Sequence, residues 1–155
     1  MIADLGPDHV DGCVEVVRAL PEWFGYPGAL EGVAKAVATQ RGFVDLVGGQ
    51  IIGFVTTNST FDECLEITYL AVHSAHRRLG IGRELVIAVR DSALERHIPS
   101  ISLLTLGPAS KSPYYADTVS FYRALGFWRT NELYLSTWGG APTLVMTAAT
   151  ADLAR

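Results

Sequence analysis

The chain has 155 residues, of which 49% are hydrophobic, and it carries a net charge of −4 with an isoelectric point near 5.5. This size favours one domain with a substantial core and leaves too few residues for two. The acidic balance excludes the basic field needed to wrap a nucleic-acid backbone and mildly favours cationic partners. Residues 1–4 lack the pattern of a signal peptide and no apolar run approaches membrane-spanning length, so we expect a cytoplasmic protein without membrane contact.

Two helices are predicted within the first 40 residues, because apolar side chains recur at helical spacing after Pro7 and after Gly28. The segment between them, residues 21–27, is predicted to be a loop and is unusually aromatic. Cys13 lies on the first apolar stripe and Cys64 begins a later strand, too far away for metal-ligand spacing. Reduced core thiols are the favoured interpretation, with a catalytic cysteine as the alternative.

Strands are predicted at residues 43–47 and 51–57, joined by the tight turn Gly48-Gly49, and at residues 64–72. The third strand leads into the stretch 77–82, which has the sequence Arg-Arg-Leu-Gly-Ile-Gly and precedes a helix predicted over 82–97. Free N–H groups in the first turn of a helix favour an anion such as a diphosphate, glycines allow its close approach, and arginines add positive charge. The stretch lacks the lysine of a Walker loop and the third glycine of a dinucleotide fingerprint, and an ordinary glycine-rich turn stays open as the alternative.

The remaining elements are a strand at 100–106, a loop at 107–113, a helix capped by Asp117 that runs to Leu125, and strands at 127–131 and 143–147. Gly126 stands where a left-handed C-terminal cap is expected. The crossover from strand 64–72 to strand 100–106 makes these two strands parallel neighbours. We therefore predict an α/β sandwich, a mixed and mostly antiparallel sheet with a central parallel pair and helices on both faces. Residues 1–147 form the single domain and residues 148–155 a loosely held tail.

With these elements in place, the chain resembles the GNAT superfamily of acyl-CoA-dependent N-acetyltransferases. Residues 77–82 follow the family pattern Gln/Arg-x-x-Gly-x-Gly/Ala, and residues 121–127 follow Phe-Tyr-x-x-x-Gly-Phe. The likeness covers nearly the whole chain. It implies a single acetyltransferase domain that uses acetyl-CoA as co-substrate, needs no metal, and in many members forms a homodimer through the late strands.

The resemblance also implies which residues hold the donor. Backbone groups of the turn would bind the coenzyme A pyrophosphate, and main-chain groups of the preceding strand would bind pantetheine, with a backbone N–H near Ala71 or Val72 facing the acetyl oxygen. Tyr115 stands where many members have an asparagine that touches pantetheine, so that contact is in doubt. The implied donor-binding residues are Leu70, Ala71, Val72, Arg77, Arg78, Leu79, Gly80, Ile81, Gly82, Arg83 and Tyr115.

Catalysis requires a base for the amine and an acid for the departing thiolate. The resemblance assigns the acid to Tyr122, which could otherwise be a core aromatic. Glu66 is the candidate base, on a strand face that it is expected to share with Thr68, Leu70 and Val72. Glu63 is the reserve candidate, and a solvated or arginine-paired carboxylate is the alternative for Glu66.

The acceptor side is expected to be aromatic, because aromatic walls suit a cation or a flat ligand. Plain packing under the sheet is the alternative for these side chains. The candidates are Trp23, Phe24, Tyr26, Thr105, Tyr134 and Trp138. The predicted reaction is acetyl transfer to a primary amine, in the first instance of a small molecule. Acetylation of a protein or peptide amine and non-catalytic acyl-CoA binding stay open.

Overall fold

The computed structural model describes residues 1–154, in which seven strands and five helices follow one another along the chain. The strands are β1 (Ile2–Asp4), β2 (Arg41–Val47), β3 (Gln50–Phe61), β4 (Cys64–Val72), β5 (Ser100–Leu106), β6 (Trp128–Tyr134) and β7 (Pro142–Ala149). The helices are α1 (Val10–Arg18), α2 (Pro21–Phe24), α3 (Ala29–Thr39), α4 (Ile81–Glu95) and α5 (Pro113–Leu125). Within this described range, no helix is long and apolar enough to cross a membrane.

The strands form one sheet in the order β1-β2-β3-β4-β5-β7-β6. Only β4 and β5 pair in parallel, and every other neighbouring pair in the described chain is antiparallel. The turn between β2 and β3 uses Gly48 and Gly49 at φ values of 57° and 80°, which glycine adopts at little cost. The predicted mixed sheet with a central parallel pair is therefore confirmed.

Helices cover both faces of the sheet, as predicted. On one face, Cys13 and Val17 of α1 and Val33 of α3 pack with Phe54 of β3 in a buried cluster. On the other face, α4 and α5 pack against β4, β5 and β7. The helices lie where their sequences require, because each carries one apolar stripe that must be buried.

A bulge in β4 interrupts the alternation of its side chains. Thr56 of β3 pairs with Tyr69, but the next residue, Thr57, pairs with Ile67, so Thr68 is an extra residue in β4. Before the bulge, Ile67 joins the cluster under α4, whereas after it Leu70 packs against that same cluster. The change from odd-numbered to even-numbered residues on one face is the signature of one inserted residue.

Two helix predictions need correction. Residues 21–24 were predicted to lie in a loop but form the short helix α2, because Pro21 sets the φ value of its first turn and the N–H groups of Trp23 and Phe24 donate to Leu20. Helix α5 begins at Pro113 for the same reason, with Ser112 at its N-cap position. Asp117 therefore lies inside α5 and is not its cap.

The expectation of a loosely held tail is wrong for residues 148–154, and residue 155 lies outside the described residues. Leu153 is fully buried, and the N–H of Ala154 donates to the carbonyl of Leu125 at 2.7 Å. Two arginines of α4 complete the attachment, since Arg83 donates to the carbonyl of Ala154 and Arg90 to that of Leu153, each at 3.1 Å. These partners come from distant parts of the chain, which is why local composition did not reveal them.

Candidate functional site

The parallel strands β4 and β5 separate partway along their length. Their pairing runs from Cys64 opposite Ser100 to Ile67 opposite Leu103 and ends at the bulge residue Thr68. Because bulges bend and twist a strand, β4 diverges from β5 beyond this point. The second half of β4 therefore borders a gap.

The backbone of β4 presents polar groups to this gap. The N–H of His73 donates to the carbonyl of Ile52 in β3 at 2.8 Å, and N–H groups alternate in direction along an antiparallel pair. The N–H of Ala71 consequently points to β3, whereas those of Leu70 and Val72 point to the gap, where β5 does not pair with them. These two N–H groups are left for a ligand.

At the end of β4, the chain makes the turn that we expected to bind an anion. Arg78 and Gly80 have φ values of 61° and 83°, and α4 starts at Ile81 with no side chain capping its first turn. The first N–H groups of a helix have no partner within the helix and carry a partial positive charge. A non-glycine residue with positive φ is strained, and such strain is typical of functional turns. The geometry suits a phosphate group.

Gly82 lets the start of α4 approach α5 closely. A Cβ atom at this position would lie 3.1 Å from Cζ of Phe121 and 3.8 Å from Cγ2 of Val72. The turn at residues 77–82, the end of β4 and the middle of α5 therefore meet at one point.

The arginine side chains of the turn differ in their partners. The guanidinium carbon of Arg77 lies 4.0 Å from the centroid of the Trp23 ring. Arg83 is occupied by the carbonyl of Ala154. Arg78 and Leu79 are exposed. Two of the three positive charges expected around the anion are thus held by protein groups.

Tyr122 lies in α5 next to this point and is 6% exposed. Its ring makes edge contacts with Phe121 at 5.1 Å and with Phe127 at 5.4 Å between centroids. Burial raises the pKa of its hydroxyl, so the phenol keeps its proton in the free protein. The ring is thus part of the core, as the alternative for this residue expected, and its role as an acid stays a prediction.

Glu66 lies in the paired half of β4, opposite Asn58 of β3 and Ser102 of β5. Partial burial raises the pKa of its carboxyl group. The expected common face with Leu70 and Val72 is wrong, because the bulge reverses the alternation. Glu66 instead faces the side of the sheet on which Tyr69 packs with α1 and α3.

The reserve base, Glu63, is exposed in the turn before β4. Its carbonyl accepts a hydrogen bond from the Ser100 hydroxyl at 2.6 Å, so it lies at the paired end of β4 and β5, away from the gap. Beside Glu66, the thiol of Cys64 donates to the Ser102 hydroxyl at 3.3 Å. Cys13 is fully buried, and burial raises the pKa of its thiol to about 12, as fits a core cysteine.

The aromatic segment at α2 meets both β4 and α5. Phe24 lies 6.3 Å from the Tyr69 ring, and the hydroxyl of Tyr115 donates to the carbonyl of Trp23 at 3.2 Å. Partial burial, with the neighbouring Tyr69 and Tyr115, raises the pKa of Tyr26 to about 12. Three tyrosines from different elements therefore converge beside the gap.

The other acceptor candidates are not part of this group. Thr105 is 5% exposed and shares the α4 and α5 face with Leu103, so it is a core residue. Tyr134 and Trp138 are 67% and 40% exposed, on β6 and the connection to β7. Within residues 1–154, their rings contact none of the α2 aromatics.

A cavity of about 310 Å³ adjoins the far side of the gap. It lies between the end of β5 at Leu106 and the start of α5, and its lining includes Lys111, Tyr115 and Val119. Its volume is that of a small ligand site, and its lining is largely apolar. Across the described residues, no cluster of three or more His, Cys, Asp or Glu side chains could hold a metal ion.

Sequence reasoning missed two residues of this region, Tyr69 and Lys111. Tyr69 looked like an ordinary strand aromatic, because without the bulge its face could not be assigned. Lys111 was one residue of a loop, and nothing in the sequence marked its position beside a cavity.

Comparison with known proteins gives one family. The family model described as the Acetyltransferase (GNAT) family matches residues 14–127. Mycothiol acetyltransferase from Corynebacterium efficiens is 36% identical over 84 residues, which are 54% of this chain and 25% of that protein. The chain thus spans about a quarter of the length of this curated relative.

Solved structures share the fold over almost the whole chain. A GNAT-family protein from Desulfovibrio desulfuricans aligns with a TM-score of 0.81 at 15% identity, covering 97% of this chain and 99% of its own. An aminoglycoside 6'-N-acetyltransferase in complex with coenzyme A aligns with a TM-score of 0.72 at 19% identity, covering 97% of each chain. The ribosomal-protein-S18-alanine N-acetyltransferase from Escherichia coli aligns with a TM-score of 0.75 at 17% identity, covering 97% of this chain and 93% of its own. At these identities, the likeness shows the fold.

Proposed function

The chain belongs to the GNAT family of acetyltransferases, as its sequence predicted, and on that premise we propose that it moves an acetyl group from acetyl-CoA to a primary amine of a small molecule. The transfer is direct, within a complex of both substrates. The observation that carries the proposal is the gap between β4 and β5, which ends at the glycine-containing turn before α4. Glu66, in the paired half of β4 just before the gap, and Tyr122 lie on opposite faces of the sheet.

The residues present fit the donor. The N–H groups of residues 78–83 bind the pyrophosphate, since Gly80 faces open space and leaves the approach clear, while Gly82 lets α4 begin close to α5. Leu70 and Val72 direct their N–H groups into the gap, where the pantetheine arm carries amides of its own. The N–H of Val72 then donates to the acetyl oxygen and stabilises negative charge there during attack.

The chemistry divides between a base and an acid. Glu66 accepts a proton from the ammonium group, directly or through water, so that the neutral amine attacks the thioester carbon. A carbon–nitrogen bond forms and the carbon–sulfur bond breaks. Tyr122 delivers its phenolic proton to the departing sulfur and is reprotonated by the proton that the nitrogen loses as the amide forms. Glu63 is the alternative base, and its distance from the gap makes it the weaker candidate.

A small acceptor is favoured by the tyrosine group at α2, which forms a partly enclosed aromatic wall. The aminoglycoside enzyme among the similar structures acts on a small molecule, and the mycothiol enzyme is named for another. The enzyme from Escherichia coli acts on a protein alanine, so a protein or peptide amine is the second candidate. A non-catalytic acyl-CoA sensor is the third, and the pairing of Glu66 with a protonated Tyr122 argues against it.

Release of free thiol from acetyl-CoA tests the proposal. The panel contains aminosugars, diamines, amino acids and peptides with an N-terminal alanine, and calorimetry measures coenzyme A binding in parallel. Thiol release with a small amine is the expected result. Release with peptides alone would assign a protein acceptor, and tight coenzyme A binding without release for any amine would overturn the enzyme assignment.

A further inference from the structure

The side chain of Trp23 in α2 contacts both sides of the gap. One side of the gap is β4 with the turn that follows it, and the other is β5 with α5. Beyond Leu103, the strands themselves no longer pair. Whatever holds the gap at a fixed width must therefore come from outside the sheet.

On the β4 side, Trp23 contacts the anion-binding turn. The guanidinium group of Arg77 lies over its ring at 4.0 Å, within the range of a cation–π interaction. The neighbouring Phe24 contacts Tyr69 of β4. The α2 segment is thus attached to β4 and to the residue that begins the turn.

On the α5 side, three groups hold the same tryptophan. Its indole N–H donates to the Thr118 hydroxyl at 3.2 Å, and its carbonyl accepts from the Tyr115 hydroxyl at 3.2 Å. The Tyr114 ring meets the indole edge-on at 5.2 Å. Tyr115 occupies the position where the family resemblance implied a pantetheine contact, and here its hydroxyl is used to hold α2.

We propose that Trp23 is a positioning residue that braces the gap between β4 and β5 at the width of the pantetheine arm. The inference rests on the proposed use of acetyl-CoA and reassigns Trp23 from the acceptor site. Its N–H is bonded, Arg77 lies over its ring and the Tyr114 ring makes a T-shaped contact with it, so the indole is engaged by protein groups on several sides. Helix α2 has only four residues, and these side-chain contacts fix its position.

The test compares Trp23→Phe, Trp23→Ala and Tyr115→Phe with Trp128→Phe, a matched substitution of an exposed tryptophan on β6. Calorimetry gives the coenzyme A Kd, thermal unfolding reports folding, and steady-state kinetics separate the KM for acetyl-CoA from kcat. Loss of one hydrogen bond predicts an increase of about fivefold in Kd for Trp23→Phe and for Tyr115→Phe, and more for Trp23→Ala. The KM for acetyl-CoA rises in parallel, kcat at saturating donor stays near the parent value, and Trp128→Phe changes neither.

The double variant Trp23→Phe/Tyr115→Phe sharpens the test. Because both substitutions loosen one brace, their combined effect on Kd is smaller than the product of the single effects. An unchanged coenzyme A Kd in Trp23→Phe and Tyr115→Phe variants that fold normally would overturn the proposed bracing role of Trp23. So would a raised KM for the amine with an unchanged donor Kd, which would make Trp23 an acceptor contact. Absence of coenzyme A binding by the parent protein would instead overturn the proposed function, and the brace with it.

Discussion

Substitution of Gly80 by alanine isolates the backbone geometry of the turn that we propose binds the pyrophosphate. Gly80 has φ 83°, and a Cβ atom there would meet nothing within 4 Å, so the substitution adds conformational strain without a clash. An L-residue in the left-handed region costs about 1–2 kcal/mol. The free protein can relax this exposed turn, whereas a bound pyrophosphate requires the strained form.

The strain energy is therefore expected to appear as weaker coenzyme A binding. An energy of 1–2 kcal/mol corresponds to an increase of about 5- to 30-fold in Kd, measured by calorimetry. Gly49→Ala is the matched control, because Gly49 has φ 80° and equally open surroundings in the hairpin between β2 and β3. We expect Gly49→Ala to lower Tm by about 2–8 °C and to leave the coenzyme A Kd unchanged. Parent-like binding by Gly80→Ala, or equal weakening by both variants, would refute the role of the turn.

Three further predictions concern the acid, the base and the C-terminal segment. Tyr122→Phe should lower kcat by about tenfold or more with an unchanged coenzyme A Kd, and unchanged turnover would remove Tyr122 from the mechanism. Because burial raises the pKa of Glu66, the native state holds this proton more tightly than the unfolded chain, and stability falls as pH rises between the two pKa values. Glu66→Gln should accordingly be more stable to urea than the parent at pH 7 but not at pH 3. If Glu66 is the base, the pH profile of kcat/KM of this variant should lose its acidic limb. A retained acidic limb would favour Glu63 or solvent as the base. Leu153→Ala should lower the free energy of unfolding, measured in urea, by about 2–5 kcal/mol. A decrease no larger than that of an ordinary surface substitution would mean that the C-terminal segment contributes little to stability.

Much of the fold could be predicted from the sequence, because local sequence patterns and the final packing favour the same elements. The glycine pair after β2 and the crossover between β4 and β5 define sheet topology by rules that need no distant partner. The errors arose where distant contacts decide. The burial of Leu153 depends on Arg90 and on the end of α5, which local sequence does not specify.

In the candidate site, too, features set by local sequence could be predicted, and features set by distant contacts or by strand register could not. The turn was recognisable because its glycines and arginines are consecutive, and Tyr122 because it stands in a recognised pattern. The face of Glu66 was wrong because an extra residue in β4 leaves no mark in the sequence. Nor did composition reveal that Arg77 lies over Trp23, since the two are more than 50 positions apart and meet only in the fold.

The extra residue Thr68 has a consequence for how this architecture relates to an ordinary sheet. If it were absent, Ile67 and Tyr69 would follow each other in the regular ladder opposite Thr57 and Thr56, with both side chains on their present faces. The hydrophobic core therefore does not require Thr68. A continuous sheet and one with a gap between two of its strands differ here by the insertion of one codon, and deletion of Thr68 is the smallest change that we expect to close the gap while preserving the core.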